Sequence, residues 1–65
     1  MIVVHLDDIM RERNISIAEL SEQVGITLAN MYVLKNGKAR AIRFSTLEAI
    51  CQALDCQVGD ILKHE

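Results

Sequence analysis

Residues 17–36 read IAELSEQVGITLANMYVLKN, and the order of side-chain sizes in that stretch leaves few folds open. Ser21 and Gly25 stand four apart among the apolar residues Leu20, Val24, Ile26, Met31 and Leu34. A residue as small as Ser21 fits where two helices cross closely. Gly25 suits a sharp reversal at positive φ, which other residues avoid. The spacing predicts two short helices locked across one another by a tight turn, the helix-turn-helix arrangement.

The flanking residues extend the same reading. Ser16 and Glu19 form a capping box in front of a helix over 17–24, with Ile15 as its hydrophobic staple against Leu20. Thr27 is the N-cap of a helix over 28–35, whose buried stripe is Met31 and Leu34. Gly37 follows at its C-terminal end. Upstream, Asp7 and Asp8 sit where a helix start favours negative charge, and Leu6, Ile9, Met10 and Arg13 recur at helical spacing up to Asn14. Downstream, Ser45 and Glu48 read as a second capping box, and Leu47, Ile50, Cys51 and Leu54 form a fourth stripe. Asp55 to Gln57 interrupt it, and residues 58–62 predict a last short helix. The β-branched Ile2, Val3 and Val4 prefer an extended arm or strand. His5 reads as a cap or surface residue and His64 as part of a frayed end. The expectation is an all-α fold of five helices with a short N-terminal extended arm, residues 1–65 forming one domain.

With 65 residues, half of them apolar, the chain has material for one small core. The absence of proline and the presence of only three glycines disfavour a turn-rich β fold. Tyr32 and Phe44 are the only aromatic residues, too few for a single-strand stacking platform. No apolar run approaches a membrane span, and no signal segment opens the chain, so a cytoplasmic location is expected. Cys51 and Cys56 make no disulfide framework and, along one helix, would be poorly placed to bridge. A zinc site drawn from them with His5 or His64 would need histidines at opposite chain ends, so no metal and no cofactor is expected. Ser16, Thr27 and Ser45 are accounted for as caps, and no base constellation surrounds them. Neither an enzyme nor a small-molecule substrate is indicated.

Charge is distributed unevenly. The formal net charge is −2, yet residues 23–47 carry Lys35, Lys38, Arg40 and Arg43 with no acid. Both flanks are net acidic. A basic middle of this kind is what contact with phosphates requires.

At this point the sequence resembles the phage Cro and repressor-like (XRE) helix-turn-helix family. The similarity runs over residues 6–62. Its sharpest parts lie outside the two-helix element: Asn36-Gly37-Lys38, then the run from Phe44 through Cys51 and Cys56 to Gly59-Asp60-Ile61-Leu62. That tail looks like a subgroup of short stand-alone bacterial regulators. The resemblance implies a five-helix, lambda-repressor-like domain that binds double-stranded DNA and regulates transcription, in the sense of a repressor. Two departures stand out. The family often opens its second helix with Gln where this chain has Ile17, and it often pairs an Arg with a Glu where this chain has Met10 and Lys35.

With Met31 and Leu34 turned inward, the second helix of the motif presents Thr27, Leu28, Ala29, Asn30, Tyr32 and Val33 to the bases. Ser16, Lys35, Asn36, Lys38, Arg40 and Arg43 are the expected phosphate contacts. A symmetric homodimer is expected, with the apolar arms of two chains paired, or docked on the neighbour's last helix. The competing reading is a protein-interaction module, or an antitoxin-like partner protein, because Leu28, Ala29 and Val33 give the outward face an apolar character.

Overall fold

The structure is a computed structural model that describes residues 1–65. In chain order it comprises β1 (Ile2–Val4), α1 (Leu6–Arg13), α2 (Ile17–Val24), α3 (Leu28–Lys35), α4 (Phe44–Leu54), α5 (Val58–Ile61) and β2 (Leu62–His64). The five expected helices are present, and a small sheet joins the chain ends.

Local chemistry sets most of the boundaries. Ser16 Oγ accepts from the Glu19 N–H at 3.1 Å, and the Glu19 carboxylate accepts from the Ser16 N–H at 3.2 Å. This reciprocal pair starts α2. The first four helices all end in the same way. A left-handed residue, Asn14 (φ 55°), Gly25 (83°), Gly37 (73°) or Asp55 (50°), reverses the chain. The next N–H then reaches back to a carbonyl five residues earlier: Ile15 to Met10, Ile26 to Ser21, Lys38 to Val33, and Cys56 to Cys51. Each closure satisfies carbonyls that a helix end leaves without partners.

The core is formed by nine buried apolar side chains, with Leu6 and Met10 from α1, Leu20 from α2, Met31 and Leu34 from α3, Leu47, Ile50 and Leu54 from α4, and Ile61 from α5. Every helix contributes, so each is held mainly by its apolar stripe rather than by intrinsic helix propensity. Ser21 is buried at the α2 crossing, and its hydroxyl donates to the Ala18 carbonyl at 2.9 Å, so the small side chain leaves no polar debt.

Three expectations need correction. The expected N-terminal arm or strand is a strand whose partner is the end of its own chain: β1 lies antiparallel to β2, with Ile2 opposite His64, Val3 opposite Lys63 and Val4 opposite Leu62. The physical reason is that α5 ends one residue early, and Leu62 turns extended (φ −119°, ψ 130°) beside the arm. His64 therefore belongs to a strand rather than to a frayed end. Helix α4 starts at Phe44 with Arg43 as N-cap, and no capping box forms at Ser45 and Glu48. With this earlier start the Leu47 N–H makes the first helical bond, to the Arg43 carbonyl at 3.0 Å, and Ser45 lies inside the first turn rather than at the cap.

Candidate nucleic-acid interface

Helix α3 is fixed from beneath. Met31 is fully buried and Leu34 nearly so, which sets the rotation of the helix about its axis. Thr27 adopts the extended conformation of an N-cap, and its Oγ1 accepts from the Asn30 N–H at 3.2 Å. With the start and the rotation both set, Leu28, Ala29, Asn30, Tyr32 and Val33 lie exposed on the outer side, and Thr27 is exposed beside them. Leu28, Tyr32 and Val33 are each more than two-fifths exposed, high for large apolar side chains with no partner in the chain.

The basic segment lies against this helix. Gly37 reverses the chain after Asn36, and the loop over residues 38–43 returns alongside α3, anchored by the half-buried Ile42. A cleft of about 620 Å³ opens between loop and helix, lined by Asn30 and Val33 on one side and by Lys38, Arg40 and Arg43 on the other. Two expected base-contacting residues, Asn30 and Val33, are thus brought together with three expected phosphate-contacting ones, Lys38, Arg40 and Arg43.

Ion pairing separates the cations further. Arg11 pairs with Asp7 at 3.2 Å, Arg13 lies 3.8 Å from Glu12, and Lys35 Nζ lies 3.6 Å from Asp7. Lys38, Arg40, Arg43 and Lys63 make no ion pair. Three of these four are the loop residues, so the unpaired positive charge is concentrated beside α3. Lys35 is drawn toward α1 and is only one-quarter exposed, apart from the cleft. Ser16 also stands elsewhere, in a depression with Asn14, Ile15 and Glu19, where the Glu19 carboxylate already occupies the start of α2. Asn36 is exposed at the C-terminal end of α3.

Two features escaped the reading of the sequence. Phe44 is 88% exposed on the first turn of α4, next to Arg43. Its spacing from Leu47 continues the buried stripe, so periodicity alone would bury it; the first turn of α4 overhangs the core instead. Arg13, read only as part of the α1 stripe, reaches the end of α4 through Nε to the Leu54 carbonyl at 2.7 Å. No group of three or more His, Cys, Asp or Glu side chains is placed to hold a metal ion. No helix is long and apolar enough to cross a membrane.

Comparison with known proteins bears on this geometry. Residues 5–65 match the Cro/C1-type HTH DNA-binding domain. The chain is also similar to the uncharacterized HTH-type transcriptional regulator YozG of Bacillus subtilis (strain 168). The two are 60% identical over 63 residues, covering 97% of this chain and 75% of the relative.

Proposed function

This chain belongs to the Cro/C1-type helix-turn-helix DNA-binding family, and from that premise we propose that it is a homodimeric repressor reading the major groove with α3. As a family member it is a non-enzymatic, DNA-binding transcriptional regulator. Residues 1–65 act as one DNA-binding unit, with the two-helix element at residues 17–36.

The observation that carries the proposal is the cleft shared by α3 and the unpaired cations of the loop. Insertion of α3 in the major groove brings the loop against the adjacent phosphate backbone. Lys38, Arg40 and Arg43 then meet phosphates, Asn36 adds a neutral contact, and Thr27, Asn30 and Tyr32 offer hydrogen bonds to base edges. Leu28, Ala29 and Val33 supply apolar contact, for which the thymine methyl is the natural partner. Lys35 contributes less than the loop cations, because Asp7 already offsets its charge. Ser16 contributes through its hydroxyl proton, against the repulsion of the neighbouring Glu19 carboxylate.

A twofold dimer places two α3 helices about one DNA turn, roughly 34 Å, apart and so demands a palindromic operator. Ile2 on β1, and Met1 just before it, remain exposed, which gives a second copy an apolar edge to meet. Repression in this reading is by occupancy: the protein bound over a promoter excludes polymerase.

The second reading, a protein-interaction module, draws on the exposed Leu28, Tyr32, Val33 and Phe44. Fluorescence anisotropy separates the two. The full chain is titrated with duplexes tiling the promoter of its own coding region and with random duplex, at low and moderate salt. The proposal requires one duplex to outcompete random DNA. If none does, the interaction reading replaces it.

A further inference from the structure

The two cysteines stand at a place where the fold itself brings side chains together. Along a straight helix, Cys51 and Cys56 would diverge. Here α4 ends at Leu54, and Asp55 turns left-handed (φ 50°). The Cys56 N–H then bonds the Cys51 carbonyl at 3.1 Å. This is the closure that also ends α1, where the flanking residues are Met10 and Ile15. In such closures the side chains at these two positions meet, usually as an apolar contact. At the end of α4 the two residues that this closure brings together are free cysteines, Cys51 and Cys56. A backbone bond between two residues also keeps their Cα atoms within about the 4.4–6.8 Å that a disulfide spans. Both side chains are half-buried, packed on the core yet open to a small reagent.

We propose that Cys51 and Cys56 form a redox-active dithiol, a site of reversible modification where a peroxide closes an intrachain disulfide across the end of α4. The chemistry balances in two steps. The Cys51 sulfur attacks hydrogen peroxide, the O–O bond breaks, and Cys51 becomes a sulfenic acid as one water leaves. The Cys56 sulfur then attacks the Cys51 sulfur; the S–O bond breaks, and the sulfenic hydroxyl leaves as a second water with the Cys56 proton. Two thiols are oxidised and one peroxide is reduced. Burial, foremost, pushes the Cys56 thiol above its ordinary pKa, with Asp60 adding to the rise and Arg13 opposing it. That environment disfavours the Cys56 thiolate and so suits Cys56 to the second, resolving step. The bridge ties α4 to the start of α5 without disturbing Ile50, Leu54 or Ile61 beneath.

The test is a hydrogen peroxide titration of the reduced full chain, followed by intact mass, non-reducing electrophoresis and peptide mapping. The expected product is a monomer lighter by two hydrogens, with residues 51 and 56 joined, restored by a dithiol reductant and melting at a higher temperature than the reduced form. Cys56→Ser should instead accumulate a sulfenic acid at residue 51 that dimedone traps. The wild-type mass shift stands even if that variant fails to fold. Disulfide-linked dimers, a sulfinic acid on one cysteine with no bridge, or thiols that react only after denaturation would each overturn the proposal.

Discussion

Arg13 caps a helix to which it does not belong: its Nε donates to the Leu54 carbonyl at 2.7 Å, where α4 ends. A second bond runs from Nη2 to the Asp55 carbonyl at 3.2 Å. One guanidinium therefore places positive charge at the negative ends of both α1 and α4 while filling carbonyls left open by the second. Replacing Arg13 with Ala should lower stability by about 1–2 kcal/mol, toward the low end for hydrogen bonds to a charged donor because water can reach the freed carbonyls. Arg13→Lys should recover only part, because an ammonium lacks the planar fork. Urea unfolding monitored by circular dichroism measures both.

Glycine substitutions should split by sign. An added Cβ meets nothing within 4 Å at Gly25 or at Gly59, so space does not distinguish them. Backbone conformation does, since Gly25 holds φ at 83° and Gly59 lies inside α5. Gly25→Ala should cost about 1–2 kcal/mol, the penalty of a left-handed alanine. Gly59→Ala should gain about 0.4–1 kcal/mol by restricting the unfolded chain. Thermal melts of the two variants test the contrast, and a loss at Gly59 would contradict it.

His5 links the chain ends through pH. Its Nε2 meets the Glu65 carboxylate, and its Nδ1 lies 3.5 Å from Asp8. The hydrogen bond to Glu65, the largest effect, raises the imidazole above its ordinary value of 6.5; desolvation, the next largest, opposes it, and the hydrogen bond to Asp8 adds to the rise. A raised pKa means that the folded state holds the proton more tightly. The stabilisation is fully present below about pH 6.5 and is lost as pH climbs through the folded value. The melting temperature should therefore fall across the neutral range, and Glu65→Gln should flatten that fall. NMR titration of the His5 ring should show a midpoint above 6.5 that drops in the same variant.

DNA binding should distinguish the loop cations from Lys35. If Lys38, Arg40 and Arg43 each meet a phosphate, a dimer makes six contacts, and the log–log salt slope should be near −5, at roughly −0.9 per contact. Lys38→Ala should reduce the slope by about two in the dimer, one contact from each subunit, and weaken all sequences alike. Lys35→Ala should change it less, because Asp7 already holds that side chain. Asn30→Ala and Tyr32→Ala should cost on the order of 1–3 kcal/mol on the operator and little on random duplex. Anisotropy across a salt series reads all four.

The helices were legible wherever a boundary rested on neighbours in sequence. Asn14, Ser16, Gly25 and Thr27 act within a few residues of themselves, and α1, α2 and α3 begin and end where those residues imply. The outward face of α3 was legible for the same reason, because Met31 and Leu34 alone set its rotation. What sequence order hid was distant pairing. The match of Ile2 with His64, the reach of Arg13 to Leu54 and the pull of Asp7 on Lys35 each join residues many positions apart, with no local signal. Ser45 and Glu48 show the converse, a valid local pattern left unused because α4 starts one residue earlier, at Phe44.

The pairing of β1 with β2 also dictates an order of assembly. Nearly the whole chain must be looped before Val3 and Lys63 can meet, whereas α2 and α3 find each other across a few residues. Closing so long a loop is entropically costly and brings little reward until the helices have already drawn the ends together. The sheet should then be the last piece to form and the first to open, its amides exchanging with solvent before those of the helices that bury Leu20 and Met31. Opening of that seam would release the apolar Ile2 and Val3 while the nine side chains that join the five helices stay packed.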